Sequence, residues 1–192
     1  MKNFVLIVCL TAVCFLNLSA QDAKMEAGDV TISAGIGVIP TFFADNSTTI
    51  VPPISLRLGY RISPMFSISA YGGYSSSETG EIINPNESIS EYRNDFLIIG
   101  LQPAIHSTYF DQWDIYGGFL MGYNIPMVDN TTTYPEDQII DDVQPSFSRP
   151  AENNINFSGF IGASYYFGKH TALFAEVGYG VSLLNLGVNI KL

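Results

Sequence analysis

Val30-Thr31-Ile32-Ser33-Ala34-Gly35-Ile36-Gly37-Val38 places an apolar residue at every even position and a small or polar one at every odd position. A two-residue period belongs to a strand, whose side chains point alternately to opposite faces. Ile54-Ser55-Leu56-Arg57-Leu58-Gly59-Tyr60-Arg61-Ile62 repeats the pattern. After Ser63-Pro64-Met65, Phe66-Ser67-Ile68-Ser69-Ala70-Tyr71-Gly72-Gly73-Tyr74 reads as its hairpin partner. A fourth run, Phe96 to His106, sets Leu97, Ile99, Leu101 and Ile105 on one face. The fifth carries Trp113, Ile115, Phe119, Met121 and Tyr123, and the sixth Ile155, Phe157, Ile161, Ala163, Tyr165 and Phe167. The seventh shows Thr171, Leu173, Ala175, Val177 and Tyr179, and Leu184 to Leu192 alternates to the final residue. Eight strands and no helix are therefore expected. After residue 20 no stretch reaches the ~18 consecutive apolar residues of a membrane helix.

Alternation does not say which face is the core, but the make-up of the two faces does. One holds Ile, Leu, Val, Phe and Tyr; the other holds Gly35, Gly37, Arg57, Arg61, Ser67, Ser69, Asn156, Ser158, Glu176, Asn189 and Lys191. A soluble barrel needs many charges on its outer face, yet charged residues make up only 14% of this chain, against ~25% in an ordinary domain. Small residues and a few charges suit the narrow interior of a small barrel, which leaves the large apolar residues facing lipid. A disordered chain is excluded by 47% hydrophobic and 13% aromatic residues. Nucleic acid is not an expected partner of a chain with net charge −10 and eight Lys and Arg.

Met1-Lys2-Asn3, the apolar run Phe4 to Leu18 and the small residues Ser19-Ala20 have the layout of a secretory signal peptide, with cleavage expected before Gln21. The expected organisation is thus a signal at residues 1–20 and one domain at residues 21–192. Cys9 and Cys14 would leave with the signal, so neither disulfides nor thiolate metal sites are expected in the mature chain. Loss of Lys2 leaves seven Lys and Arg against 18 Asp and Glu, a formal charge of −11.

Connections run alternately long and short. Pro40–Pro53, Ser75–Tyr92 and Ile125–Asn153 are long; Ser63–Met65, Ser107–Gln112 and Gly168–His170 are short. Gly180–Leu183 is a short connection where a long one is due. Long extracellular loops and short periplasmic turns are the arrangement of transmembrane barrels. With an even strand number, both termini are then expected in the periplasm. Tyr60, Phe66, Tyr74, Trp113, Tyr123, Tyr165, Phe167 and Tyr179 fall near strand ends, as interfacial girdles do.

On these features the whole mature chain resembles the small eight-stranded outer-membrane β-barrel proteins, of the OmpA-barrel and OmpX-like porin kind. The most specific piece is Leu186-Gly187-Val188-Asn189-Ile190-Lys191-Leu192, similar to the C-terminal signal read by the barrel-assembly machinery, although it ends in Leu192 where the family usually has Phe. The resemblance implies an eight-stranded antiparallel up-and-down transmembrane barrel in the bacterial outer membrane. It also implies a structural and surface-interaction role toward outer-membrane lipid, lipopolysaccharide or another extracellular partner. No second domain is expected after the barrel, so the peptidoglycan-binding role of longer relatives is not carried over. The barrel is expected to be a monomer.

Some barrels of this kind are enzymes, which calls for a nucleophilic pair. The two histidines, His106 and His170, flank short turns and are expected at the periplasmic rim; Glu176 lies roughly 20 Å of strand from His170. No triad, zinc spacing or phosphate loop is read, and neither enzymatic activity nor a cofactor is expected. Arg57 and Glu176 fall near mid-depth on the inward face and are expected to form an ion pair across the lumen. Arg61, Asp114 and Lys191 are expected as a second charged group near the rim. Such charges either fill the interior or gate a narrow channel for water or small ions; filling is the favoured reading. Ile125–Asn153 carries Asp129, Glu136, Asp137, Asp141, Asp142 and Glu152, a candidate surface for divalent ions or partners, though its spacing matches no calcium loop. A soluble exported barrel that binds an apolar ligand is the remaining alternative.

Overall fold

A computed structural model describes residues 25–41, 47–79, 82–83, 89–133 and 153–192. The expected signal segment, residues 1–20, lies outside them. The described chain consists of strands and turns: β1 (Val30–Pro40), β2 (Ser47–Ser63), β3 (Phe66–Thr79), β4 (Ile82–Ile83), β5 (Ile89–His106), β6 (Trp113–Thr133), β7 (Asn154–Tyr166), β8 (Thr171–Gly178) and β9 (Ser182–Lys191). All pairings are antiparallel, and β1 pairs with both β2 and β9 while β3 pairs with both β2 and β5. Every long strand therefore has two neighbours, and the sheet closes into a barrel of eight long strands; the two-residue β4 pairs only with β5 beyond the wall. Closure removes the unpaired edges that lipid cannot satisfy.

The strand starts and ends nearest the short turns agree with the sequence pattern to within two residues. At the other end, β2, β3, β5 and β6 run on into the expected loops, and β6 reaches 21 residues where ~9–11 suffice to cross a bilayer. The ladder does not stop where lipid stops. Thr48, Thr49, Ser76 and Ser77 are compatible with pairing and with water, so β2 and β3 continue beside each other. Pro52 and Pro53, which have no N–H to donate, fall at the register shifts of that hairpin.

Ile32, Ile36, Val38, Leu56, Leu58, Ile62, Phe119, Phe157 and Ile161 all face outward and exposed, whereas Ser33, Ser55, Ser67, Ser164 and Asn189 are buried inside. A belt of large apolar side chains around the whole wall would be an aggregation surface in water and is the ordinary exterior in lipid. That distribution corrects the soluble-barrel alternative, which requires the reverse. Trp113 and Tyr165 pair across β6 and β7 at the short-turn end with ring centroids 5.0 Å apart. From Trp113 to Tyr123, ten residue steps along β6 correspond to ~34 Å of strand and, at the usual tilt, ~25 Å of height, the thickness of an apolar band.

The lumen is filled. A Cβ added at Gly162 would lie 2.6 Å from the Tyr116 ring, so glycine here is what lets a tyrosine cross the interior. The short connection between β8 and β9 also has its reason: it folds in instead of projecting out. Val181 is 1% exposed and joins Tyr71, Phe96, Ile98 and Leu120 in an apolar cluster inside the long-connection end. Thr41 Oγ1 donates to the Gly180 carbonyl at 2.5 Å, and Ser182 Oγ to that of Ile39 at 2.6 Å, which holds the turn in the mouth.

Candidate functional site

Charged side chains gather in the middle and at the short-turn end of the lumen. Strand parity turns Arg57 (β2), Gln102 (β5), Tyr116 (β6) and Glu176 (β8) inward. Arg57 Nη1 lies 2.5 Å from Glu176 Oε2, with both side chains less than 10% exposed. Gln102 Nε2 donates to Glu176 Oε1 at 3.2 Å, and the Tyr116 hydroxyl to Oε2 at 3.3 Å. The Arg57 guanidinium also sits 4.5 Å from the centroid of the Phe174 ring. A buried ion pair holds only when remaining donors and acceptors are also met, and here the neighbours meet them. The contact closes the middle of the lumen with four strands contributing.

Nearer the short turns, Arg61 Nη2 donates to Asp114 Oδ2 at 2.8 Å, and both groups are buried. Lys191 stands at the same end. Its flexible stem reaches Asp29, just before β1, at 2.6 Å. Asp29 is not among the expected site residues, yet an acid one step before β1 at the level of Lys191 is a signal, since β1 and β9 pair there. Burial alone would raise the Asp29 carboxyl. The Lys191 ammonium, the Glu26 N–H and the charge of Arg61 outweigh it and hold Asp29 below the usual carboxylate range.

His106, the last residue of β5, lies at the short-turn end, where it points into the lumen and is buried. Ser67 Oγ is 2.7 Å from its Nε2, and Asp114 is 2.9 Å from its Nδ1. Its ring stacks on Tyr116 with centroids 5.4 Å apart. Ser67, His106 and Asp114 are thus brought together in a row, a grouping that the sequence reading, which names no triad, does not contain. His170, by contrast, is exposed, with Nδ1 3.2 Å from the Lys191 carbonyl.

Small cavities lie at three places in the lumen. One of about 50 Å³ touches Ser33, Arg57, Arg61, Ser67, His106 and Asn189. A second of about 20 Å³ lies toward the short turns beside Met25, Arg61, Trp113 and Asp114. The third, about 10 Å³, lies between Glu176 and the Val181 end, against Tyr71 and Leu120. Among the described residues no group of three or more His, Cys, Asp or Glu is placed to hold a metal. Asp129 is exposed on the outer extension of β6, opposite Arg93. Glu136, Asp137, Asp141, Asp142 and Glu152 of the acidic segment lie outside the described residues.

Residues 7–190 match the outer membrane protein beta-barrel domain. The chain belongs to that family. Among solved structures, the outer membrane protein OprG from Pseudomonas aeruginosa is similar with a TM-score of 0.57 at 12% identity, over 90% of this chain and 99% of that one. A de novo designed transmembrane β-barrel is similar with a TM-score of 0.50 at 15% identity, over 88% and 99% of the two chains. Both likenesses are of fold. No curated protein sequence matches the chain. As an outer-membrane β-barrel, the molecule meets lipid with its apolar belt, and the polar layers above are its interior.

Proposed function

We propose that this barrel is a structural and surface-interaction protein of the bacterial outer membrane, a role that needs no catalysis and no cofactor. In this reading residues 1–20 are a cleaved signal, the barrel-assembly machinery inserts the mature monomer, and both termini and the short turns face the periplasm. The long connections, including the segment with Asp129, Glu136, Asp137, Asp141 and Asp142, face outward toward lipopolysaccharide or an extracellular partner. Loops on a rigid scaffold are the usual place for such contacts.

The observation that carries the reading is the filled lumen. Val181 and its apolar neighbours occupy one end, and the Arg57–Glu176 contact occupies the middle. The cavities beside these blocks are small, about 50, 20 and 10 Å³. A narrow channel for water or small ions would require both blocks to move, so the filled scaffold is the better supported reading. In planar bilayers the expected outcome is very low single-channel conductance. Large, steady, cation-selective openings that disappear in Glu176→Ala would overturn it. Fractionation supplies the companion measurement: the protein should be a heat-modifiable band in the detergent-extracted envelope, and recovery as a detergent-free soluble monomer would contradict the proposal.

A further inference from the structure

Ser67 on β3, His106 on β5 and Asp114 on β6 stand in line inside the short-turn end of the lumen. Ser67 Oγ and His106 Nε2 are 2.7 Å apart, and His106 Nδ1 is 2.9 Å from each carboxylate oxygen of Asp114. One tautomer satisfies both contacts. Nδ1–H donates to Asp114, and the Nε2 lone pair accepts the Ser67 hydroxyl. The stacked Tyr116 ring fixes the plane of the imidazole. Nucleophile, base and orienting carboxylate are thus in the order and at the distances that acyl transfer requires.

A fourth group makes the cluster more than a satisfied network. Arg61 is the direct cross-strand partner of Ser67, and with Nη2 given to Asp114 its Nη1 is buried with no hydrogen-bond partner among the described residues. Ser67, His106 and Arg61 all line the cavity of about 50 Å³. A buried guanidinium N–H beside a nucleophilic hydroxyl is a donor waiting for an oxyanion.

We propose that Ser67 is an acyl-accepting nucleophile, with His106 as its general base, Asp114 as the positioning residue and Arg61 as the oxyanion donor, acting on small carboxylic esters. The Ser67 oxygen bonds to the ester carbonyl carbon while its proton passes to His106 Nε2. That proton then goes to the departing alkoxide as the carbon–oxygen bond breaks. Water adds to the acyl-serine through the same histidine, releasing the acid and restoring the hydroxyl; ester and water become acid and alcohol.

Size sets the substrate class. At roughly 10–15 Å³ for each water-sized group, the cavity takes an acetyl or propionyl ester and excludes a fatty acyl chain. Its position inside the wall also keeps membrane lipid away. The second cavity, of about 20 Å³, lies on the short-turn side and shares Met25, Arg61, Asp114 and Tyr166 with the first, which makes it the route of entry in this proposal. Met25, 8% exposed and packed on Tyr166 and Ala172, borders both cavities and narrows that route. The activity stands apart from the structural role proposed above, and either can fail without the other.

The test uses the full mature chain refolded in detergent micelles, with methyl acetate as the probe and acid release followed by pH-stat titration. Acetic acid release should exceed the micelle background at least tenfold, and peptide mapping of the acid-quenched wild type should find the transient acetyl group on Ser67. Ser67→Ala and His106→Gln should each lower the rate at least 100-fold while keeping the heat-modifiable folded band. Met25→Ala should raise it several-fold, and the octanoate ester should react at least tenfold more slowly than the acetate. Asp114→Asn should lower kcat with KM kept, a split that general loosening of the fold does not produce. Release no faster than the micelle background, or acetylation on other residues with Ser67 unmodified, overturns the proposal; the mapping decides even where a variant fails to fold.

Discussion

Between Val181 at one mouth and Asp114 near the other, the filling of the lumen changes from hydrocarbon to charge. Tyr71, Phe96, Ile98, Leu120 and Val181 close the long-connection end by packing. Arg57, Arg61, His106, Asp114 and Glu176 close the rest through ion pairs and hydrogen bonds. The two fillings fail differently. An apolar plug loses stability in proportion to the volume removed. A buried ion pair that loses one member leaves an uncompensated charge behind.

The sharpest way to break this contrast is Glu176→Ala. It leaves the Arg57 guanidinium buried without its carboxylate, and the expected loss is ~3–5 kcal/mol of unfolding free energy in urea titrations followed by the heat-modifiable gel shift. Replacing Arg57 with Met in the same chain should recover most of that loss, because the stranded charge goes with it. A loss no greater than that of an exposed substitution would mean that water already solvates the pair. Ile98→Ala comes next. Ile98 is fully buried in the plug, and the expected cost is ~2–4 kcal/mol in the same titration, with no recovery from any second polar change.

The smallest effect is expected outside the membrane, at Asp29. Its folded pKa lies below the unfolded value, so its contribution is fully present above the unfolded carboxylate pKa of ~3.9 and is lost as pH falls through the folded one. The stability gap between wild type and Asp29→Asn should therefore be under about 1 kcal/mol at neutral pH. It should close below about pH 4. A gap that widens on acidification would contradict the Asp29–Lys191 pair as its source.

The wall of the barrel was legible because lipid and lumen impose opposite demands on alternate residues, and Val30–Val38 already displays both. Arg57 and Glu176 could be matched across the lumen for the same reason: each is a charge of inward parity near the middle of its strand. Ser67, His106 and Asp114 also have inward parity, and each lies within two residues of a short turn. That shared depth was the available signal. It was missed because the three positions are scattered along the chain, and His106 beside a turn reads as a surface residue. The inward turn of Val181 left no mark except a connection too short for its place.

Sequence alone determined which side of each strand meets lipid, because a period of two leaves no freedom once one face is apolar. It determined the strand number and the closed antiparallel order for the same reason, since lipid tolerates no unpaired edge. Tertiary structure decided how the interior closes. Strand tilt and register set which side chains share a depth, and side-chain reach then chose Asp29 for Lys191 and Asp114 for both Arg61 and His106. Those are relations between distant segments, and no local pattern along the chain encodes them.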